Sequence, residues 1–422
     1  MKLLQINTVV NAGSTGRIAE NIGIALLAAG HKSYIAAGHT NQSSKSEVIS
    51  IGNKLDRTFH GAKSFLLDRH GFGSACSTKT LINKIRKINP DIIHLHNIHG
   101  YYLHIGILFD YLKLAKKPIV WTLHDCWSFT GHCSHFENVG CIKWKTQCNH
   151  CPKIKAYPAS LGIDNSEKNF LEKKKLFSEL ENLNVVAPSL WLANLVAYSF
   201  LKNYPVHVIN NGIDTSVFKN GNSESIRNRT GLQDQQIVLG VANVWQSSKG
   251  LDDIVMLSKV LGENVTIVLV GLTDEQIKTL PGNIIGIPKT KNQQELVELY
   301  TMAAVFINPT YSDNFPTTNL EALACGTPVI TYNTGGSPEA IDAQTGFVVN
   351  KGDIKMLSEK VQYIISMGKS FYSEACRKRA IHYFNKDDRY ADYLDLYQRL
   401  LSNNINEGNS GNQQSLQNLP AD

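Results

Sequence analysis

Between Asn308 and Glu339 the chain reads NPTYSDNFPTTNLEALACGTPVITYNTGGSPE, and no other stretch constrains the fold as tightly. The apolar run AVFINP ends as a buried strand and a polar turn follows. A short helix then starts near Thr317, to be stopped by Gly326 and Pro328. PVIT is a second buried run that opens into a glycine loop, with another helix expected from Pro338. Two strand-to-helix crossings in so short a span collect helix-start N–H groups at one edge of a sheet, where phosphates bind well. Asp313 and Glu321 flank this cradle. Phosphate donors beside carboxylates suit a ligand that is part diphosphate and part polyol, which describes a nucleotide sugar.

The rest of the chain repeats the strand–helix alternation. Residues 3–10, SYIAAG, DIIHLHN, PIVWTLHD and NVVAPS read as buried strands separated by helical runs. The pattern restarts near residue 205, with IVLGVANV, VTIVLVG, VFINP and GFVV as strands. The expected architecture is α/β, with two Rossmann-like doubly wound domains facing across a cleft at their strand C-termini. Residues 1–205 form the first domain, with a Cys-rich insert at 126–151, and 206–387 the second. A helix over 388–402 is free to pack on either half and is assigned to the N-terminal one. The polar tail 403–422 reads as disordered.

With 422 residues, 42% hydrophobic and 18% charged, the chain is long enough for two cores and ordinary in composition. A net charge of +6 is too mild for nucleic-acid binding but suits anionic ligands or an anionic membrane surface. No apolar run reaches the roughly 20 residues that cross a bilayer. The first residues read as a strand rather than a signal peptide, so a cytoplasmic location is expected, peripheral to the inner membrane at most.

Taken together, Asp313-Asn314-Phe315-Pro316, Glu321 and Cys325-Gly326-Thr327-Pro328 resemble the donor-site signature of family 4 retaining glycosyltransferases, which have the GT-B fold. NAGSTGRIAENIG, VWTLHD, VVAPSLWL, VINNGIDTSVF, SSKGL and TGGSPEAI follow in the family's order. The segment from HDCW through the Cys-rich insert, together with DNFP, resembles bacterial transferases that build polysaccharides and O-antigens. The resemblance implies transfer from a nucleotide sugar to a saccharide or lipid-linked acceptor, bound by the N-terminal domain, without a catalytic metal.

By the same resemblance Glu321 holds the ribose hydroxyls, and Asp313 contacts the transferred sugar where the family has Glu. Asn314, Phe315, Pro316, Thr317 and Thr318 bring backbone to the phosphates. Lys249 neutralises the departing diphosphate, a task that dominates the electrostatics of such a transfer. The Arg expected five residues earlier is replaced by Val244, so either the backbone amides from Phe315 to Thr318 compensate or another Arg reaches in from elsewhere. Gly13 and Gly16 border the donor phosphate, and His124 lies near the sugar. A competing reading of Glu321 is a capping box with Thr318. The competing functions are a GT-B phosphorylase or epimerase and a non-catalytic carbohydrate- or membrane-binding protein.

Five of the eight cysteines fall between Cys126 and Cys151. Cys133, Cys141, Cys148 and Cys151 are candidates for a structural zinc, with reduced packed thiols as the alternative. Lys143, Trp144, Lys145, Lys153, Lys155 and Tyr157 around them suit either contact with lipid headgroups or a solvated basic loop. His94, His96 and His99 resemble a metal cluster only superficially, since H-x-H on a strand puts both rings on one face in any case.

Overall fold

The computed structural model describes residues 1–232 and 235–416. These fall into two compact units. One comprises Met1–Pro188, Ala193–Ile209 and the chain from Tyr390, and the other Ser189–Leu192 and Asn210–Arg389.

In the first unit, β1 (Lys2–Val9), β2 (Lys32–His39), β3 (Glu47–Ser50), β4 (Ile92–Leu95), β5 (Ile119–Thr122), β6 (Leu183–Ala187) and β7 (Val206–Val208) form one seven-stranded sheet. Its order is β3-β2-β1-β4-β5-β6-β7, and every pairing is parallel. Strands buried on both faces need continuous apolar runs, which Ile92–Leu95 and Ile119–Thr122 supply. Gln5, a buried polar residue on β1, is satisfied by side-chain and backbone partners described below.

Val206–Val208 completes this first sheet instead of opening the second, so the expected boundary at 205/206 moves to 209/210. The final helix, Lys386–Leu416, enters the first unit at Tyr390. Tyr390, Tyr393, Leu396 and Tyr397 pack against Leu3, Ile18, Ile22 and Val120. Burial of each such large side chain contributes about 1.5–3 kcal/mol. The helix runs on through residues expected to be disordered from 403; positions 417–422 of that expected tail lie outside the described residues.

The second unit holds β8 (Gln236–Val241), β9 (Val265–Val270), β10 (Ile284–Ile287), β11 (Val305–Asn308), β12 (Val329–Tyr332) and β13 (Gly346–Val349). They lie in the order β10-β9-β8-β11-β12-β13, again all parallel. Both sheets therefore reverse direction of growth beside their first strand, at β1/β4 and at β8/β11. Loops leaving the C-terminal ends of those strands diverge and open a crevice, the usual ligand site of a doubly wound sheet. The polar segment SESIRNRTGL contains the helix Glu224–Thr230. The helix expected from Pro338 is a single 3₁₀ turn, Ser337–Ala340.

Candidate functional site

In the second unit the loops that leave β8 and β11 carry the charged residues singled out in the sequence. After β8 the chain turns through the 3₁₀ segment Ser247–Lys249 and Gly250 into the helix Leu251–Ser258. Gly250 has φ of +78°, and a Cβ there would run into the carbonyl of Pro309. Only glycine lets the two loops close to this distance. The amide of Tyr311 donates to the Ser248 carbonyl at 2.9 Å and locks the pair together. Lys249 Nζ is thereby held 2.6 Å from Asp313 Oδ2, both side chains partly exposed.

The helix Thr317–Ala324 begins four residues beyond Asp313. Its N-cap is Pro316, and no side chain caps it. The first amides of such a helix, at Thr317 and Thr318, have no intrahelical partner and face outward as anion donors. The capping-box alternative for Glu321 is therefore not realised. Glu321 is buried, and the buried Tyr300 hydroxyl donates to its Oε2 at 2.8 Å. That hydrogen bond orients the carboxylate, and burial pushes the phenol well up, so Tyr300 stays a donor.

A buried polar network welds the two crossings. Asn308 Nδ2 donates to Asn319 Oδ1 at 2.8 Å, and Asn319 Nδ2 donates to Ser337 Oγ at 3.0 Å. Ser337 Oγ in turn lies 2.6 Å from Thr331 Oγ1. Asn314 is fixed by Ser189 Oγ at 2.8 Å and by the Gly336 amide on its carbonyl at 3.0 Å. Phe315 is buried, its carbonyl accepting from Asn211 Nδ2 at 3.0 Å. Glu339, the carboxylate of TGGSPEAI, accepts from the amides of Leu190 and Trp191 at 2.7 Å each, so it caps a helix start instead of facing the cradle. Tyr300 sits in no recognisable motif, and although Asn319 lies in the opening stretch and Ser189 in VVAPSLWL, their spacing along the chain does not reveal their partners. Val244, where the resemblance expected Arg, is half exposed and brings no charge.

In the first unit the helix Gly13–Ala28 starts directly at the glycine loop after β1, with Gly13 at φ +59° and no side-chain cap at Ala12. Gly16 is buried in its first turn. His124 follows β5 and is tied back by a relay. Gln5 Nε2 donates to the Ala19 carbonyl at 2.8 Å, which turns its Oε1 toward His96. His96 Nε2 then donates to that oxygen at 2.9 Å, and its Nδ1 stands 3.1 Å from His124 Nε2. Burial drives His96 far down and His124 down to about 4, so both rings are neutral at pH 7. A neutral His96 that donates through Nε2 accepts at Nδ1. His124 must then donate through Nε2, which leaves its Nδ1 as an acceptor. His94 is committed to Thr122 and Tyr397, at 2.8 and 2.7 Å, and His99 to Asp125 at 2.9 Å.

The insert places Cys133, Cys141, Cys148 and Cys151 around one small cavity, with His132 and Trp144 in its wall. All are free thiols, and the neighbouring Cys133 holds the Cys151 thiol below its ordinary range. Among the described residues no three His, Cys, Asp or Glu side chains yet stand as a metal ligand set. Trp144 is buried against Phe129 and Phe136, so it does not form part of an exposed basic-aromatic surface.

Two parallel doubly wound α/β units, the second with a lysine–carboxylate pair and an uncapped helix start at its switch point, match the GT-B architecture. A model of Glycosyltransferase Family 4 matches residues 15–217 and one of Glycosyl transferases group 1 matches 222–382. The chain belongs to the family 4 type of glycosyltransferase. It is 25% identical over 427 residues to the putative colanic acid biosynthesis glycosyl transferase WcaC of Escherichia coli, covering 95% of this chain and all of that one. Sucrose-phosphate synthase from Thermosynechococcus elongatus has a similar structure, with TM-score 0.72 and 17% identity over 95% of this chain and 99% of that one. Anabaena HepE in complex with UDP-glucose superposes with TM-score 0.65 and 14% identity, over 94% and 99%.

Proposed function

We infer that this glycosyltransferase moves a sugar, with retention, from a nucleoside-diphosphate sugar to a hydroxyl of a lipid-linked saccharide during cell-surface polysaccharide synthesis. The site is read as cytoplasmic, at the inner membrane surface, and as independent of a catalytic divalent cation. The observation that carries the reading is the 2.6 Å Lys249–Asp313 pair beside the uncapped start of the helix Thr317–Ala324. The names of WcaC and of HepE with UDP-glucose support the polysaccharide setting and the donor class.

On this reading, Lys249 and Asp313 neutralise each other until the donor arrives. The diphosphate then takes the ammonium and the amides of Thr317 and Thr318, and a sugar hydroxyl takes the freed carboxylate of Asp313. Glu321, oriented by Tyr300, accepts two ribose hydroxyls. The bond between the anomeric carbon and the phosphate oxygen breaks, its electron pair leaving on the diphosphate. The acceptor oxygen bonds to that carbon from the same face and its proton passes to the leaving phosphate. Incubating the protein with a panel of radiolabelled nucleotide sugars and lipid-linked saccharides tests the reading. Label should reach the acceptor with one donor class, and Glu321→Ala should abolish it. Sugar binding without turnover would make the chain a lectin-like relative instead.

For the insert we propose a structural zinc held by the four thiols around one cavity, with reduced, packed thiols as the alternative. The protein purified without chelator is expected to carry about one zinc equivalent and to lose thermal stability when it is stripped. Less than about a tenth of an equivalent would end this idea and leave reduced, packed thiols.

A further inference from the structure

Two acids open the helix Leu251–Ser258, and they differ in burial. Asp252 is exposed, as an acid in a first turn is when it serves the helix dipole. Asp253 is only 5% exposed. A carboxylate that deep needs hydrogen-bond donors, and two phenols supply them. The Tyr311 hydroxyl donates to Asp253 Oδ2 at 2.8 Å, and the Tyr332 hydroxyl donates to the same oxygen at 2.5 Å. The two rings meet edge to face, with centroids 5.7 Å apart. Burial pushes Tyr332 far up and Tyr311 up to about 12, so both phenols keep the protons they donate.

These side chains come from three elements that meet at the switch point. Tyr332 ends β12, Tyr311 lies between β11 and Asp313, and Asp253 follows Lys249 in the first turn of its helix. Tyr311 therefore grips the Lys249 loop on both sides. Its amide holds the Ser248 carbonyl at 2.9 Å just before the lysine, and its hydroxyl holds Asp253 just after it. Lys249 itself sits on a single 3₁₀ turn with no side-chain cap. An ammonium on a long, partly exposed stem is only as well placed as the backbone that carries it. Desolvating a carboxylate is costly, and an apolar side chain between two phenylalanines would fill this place without that cost. The geometry that the acid imposes explains its presence better than stability does.

We propose that Asp253 is a positioning residue for the transfer: by holding Tyr311 and Tyr332 on one carboxylate oxygen, it fixes the backbone that keeps Lys249 beside Asp313, where the diphosphate departs. Its use in turnover rests on the donor-site reading above, whereas the clamp does not. Two measurements on the full chain test it, at a temperature where circular dichroism shows every variant folded. The first is acylation of Lys249 by acetic anhydride, read by mass spectrometry against the exposed Lys378. Asp253→Ala should raise Lys249 labelling relative to Lys378 by at least about threefold. Asp253→Asn, whose amide oxygen still accepts from the phenols, should label as the wild type does. The second is kcat for nucleoside diphosphate release. Asp253→Ala should lower it at least about tenfold in the wild-type background, with donor KM changed less than about threefold, yet less than about twofold in Lys249→Ala. Asp253→Asn should recover most of the loss, and Tyr311→Phe should reproduce part of it, which serves where Asp253→Ala does not fold. Unchanged labelling overturns the proposal, with or without turnover. Equal losses of kcat in both backgrounds, or an Asp253→Asn as impaired as Asp253→Ala, also overturn it, since they mark an acid that only stabilises the fold. Labelling that responds as expected in a protein that releases no diphosphate from any donor supports the clamp and overturns the donor-site reading instead.

Discussion

Lys249→Ala is expected to lower kcat by about two to three orders of magnitude while changing the donor KM far less. The reason is the timing of charge. In the resting site Lys249 is paired with Asp313, so breaking that pair offsets much of what its ammonium gains from the diphosphate when the donor binds. As the sugar–phosphate bond breaks, negative charge builds on the diphosphate and the ammonium is drawn to it. Removing Lys249 also leaves Asp313 as an uncompensated carboxylate close to the diphosphate, so the single variant suffers twice. Lys249→Ala combined with Asp313→Asn should therefore cost less than the sum of the two separate losses. Steady-state kinetics on the four proteins of this cycle gives the result. A kcat for Lys249→Ala within about twofold of wild type would remove Lys249 from the reaction.

Acid should unfold the first unit well before the second. Burial holds His60 and His124 down at about 4 and His70, His94 and His96 well below the usual histidine range, and all five belong to the first unit. In the unfolded chain these rings titrate near 6.5, so between about 6.5 and 4 the unfolded state binds the more protons. Their contribution is complete above the unfolded value and is lost as pH falls toward the folded ones. Each such histidine removes about 1.4 kcal/mol per pH unit within that window. Asp125 does not offset this. Burial alone would raise it, yet His99 and the Trp127 amide bring it down to about 2, so its contribution is lost only below the histidine window. Calorimetry of the full chain should show the first unit's transition falling by at least about 10 °C between pH 7 and pH 5. The second unit contains only His382 and should move little. A first transition that stays level over this range would contradict the buried neutral state of these rings.

The parts readable in advance were those in which local chemistry and long-range fold agree. Buried parallel strands need apolar runs, and Gly13, Gly250 and Gly326 punctuate them, so the two doubly wound halves and the placement of Lys249, Asp313 and Glu321 could be read from the sequence. Short or mixed elements could not. Glu47–Ser50 and Ile284–Ile287 are four-residue edge strands that form only because a neighbour pairs with them. Lys54–Leu67 buries His60 and Ser64 and exposes Leu55 and Phe59, so its apolar spacing does not tell which face meets the core. The partners that orient the site were invisible for another reason. Tyr300 reaches Glu321 across 21 positions, and Gln5 reaches His96 across 91, and no pattern along a chain encodes such pairings.

The central claim about the molecule is that the second unit's switch point is the donor site of a working transferase. The most direct measurement is release of nucleoside diphosphate from nucleotide sugars by the intact chain in excess EDTA, run beside Lys249→Ala and Glu321→Ala. Acceptor-dependent release by the wild type, undiminished by EDTA and lost in both variants, is the predicted result. Release that is absent for every donor, that requires a divalent cation, or that persists in both variants would contradict it.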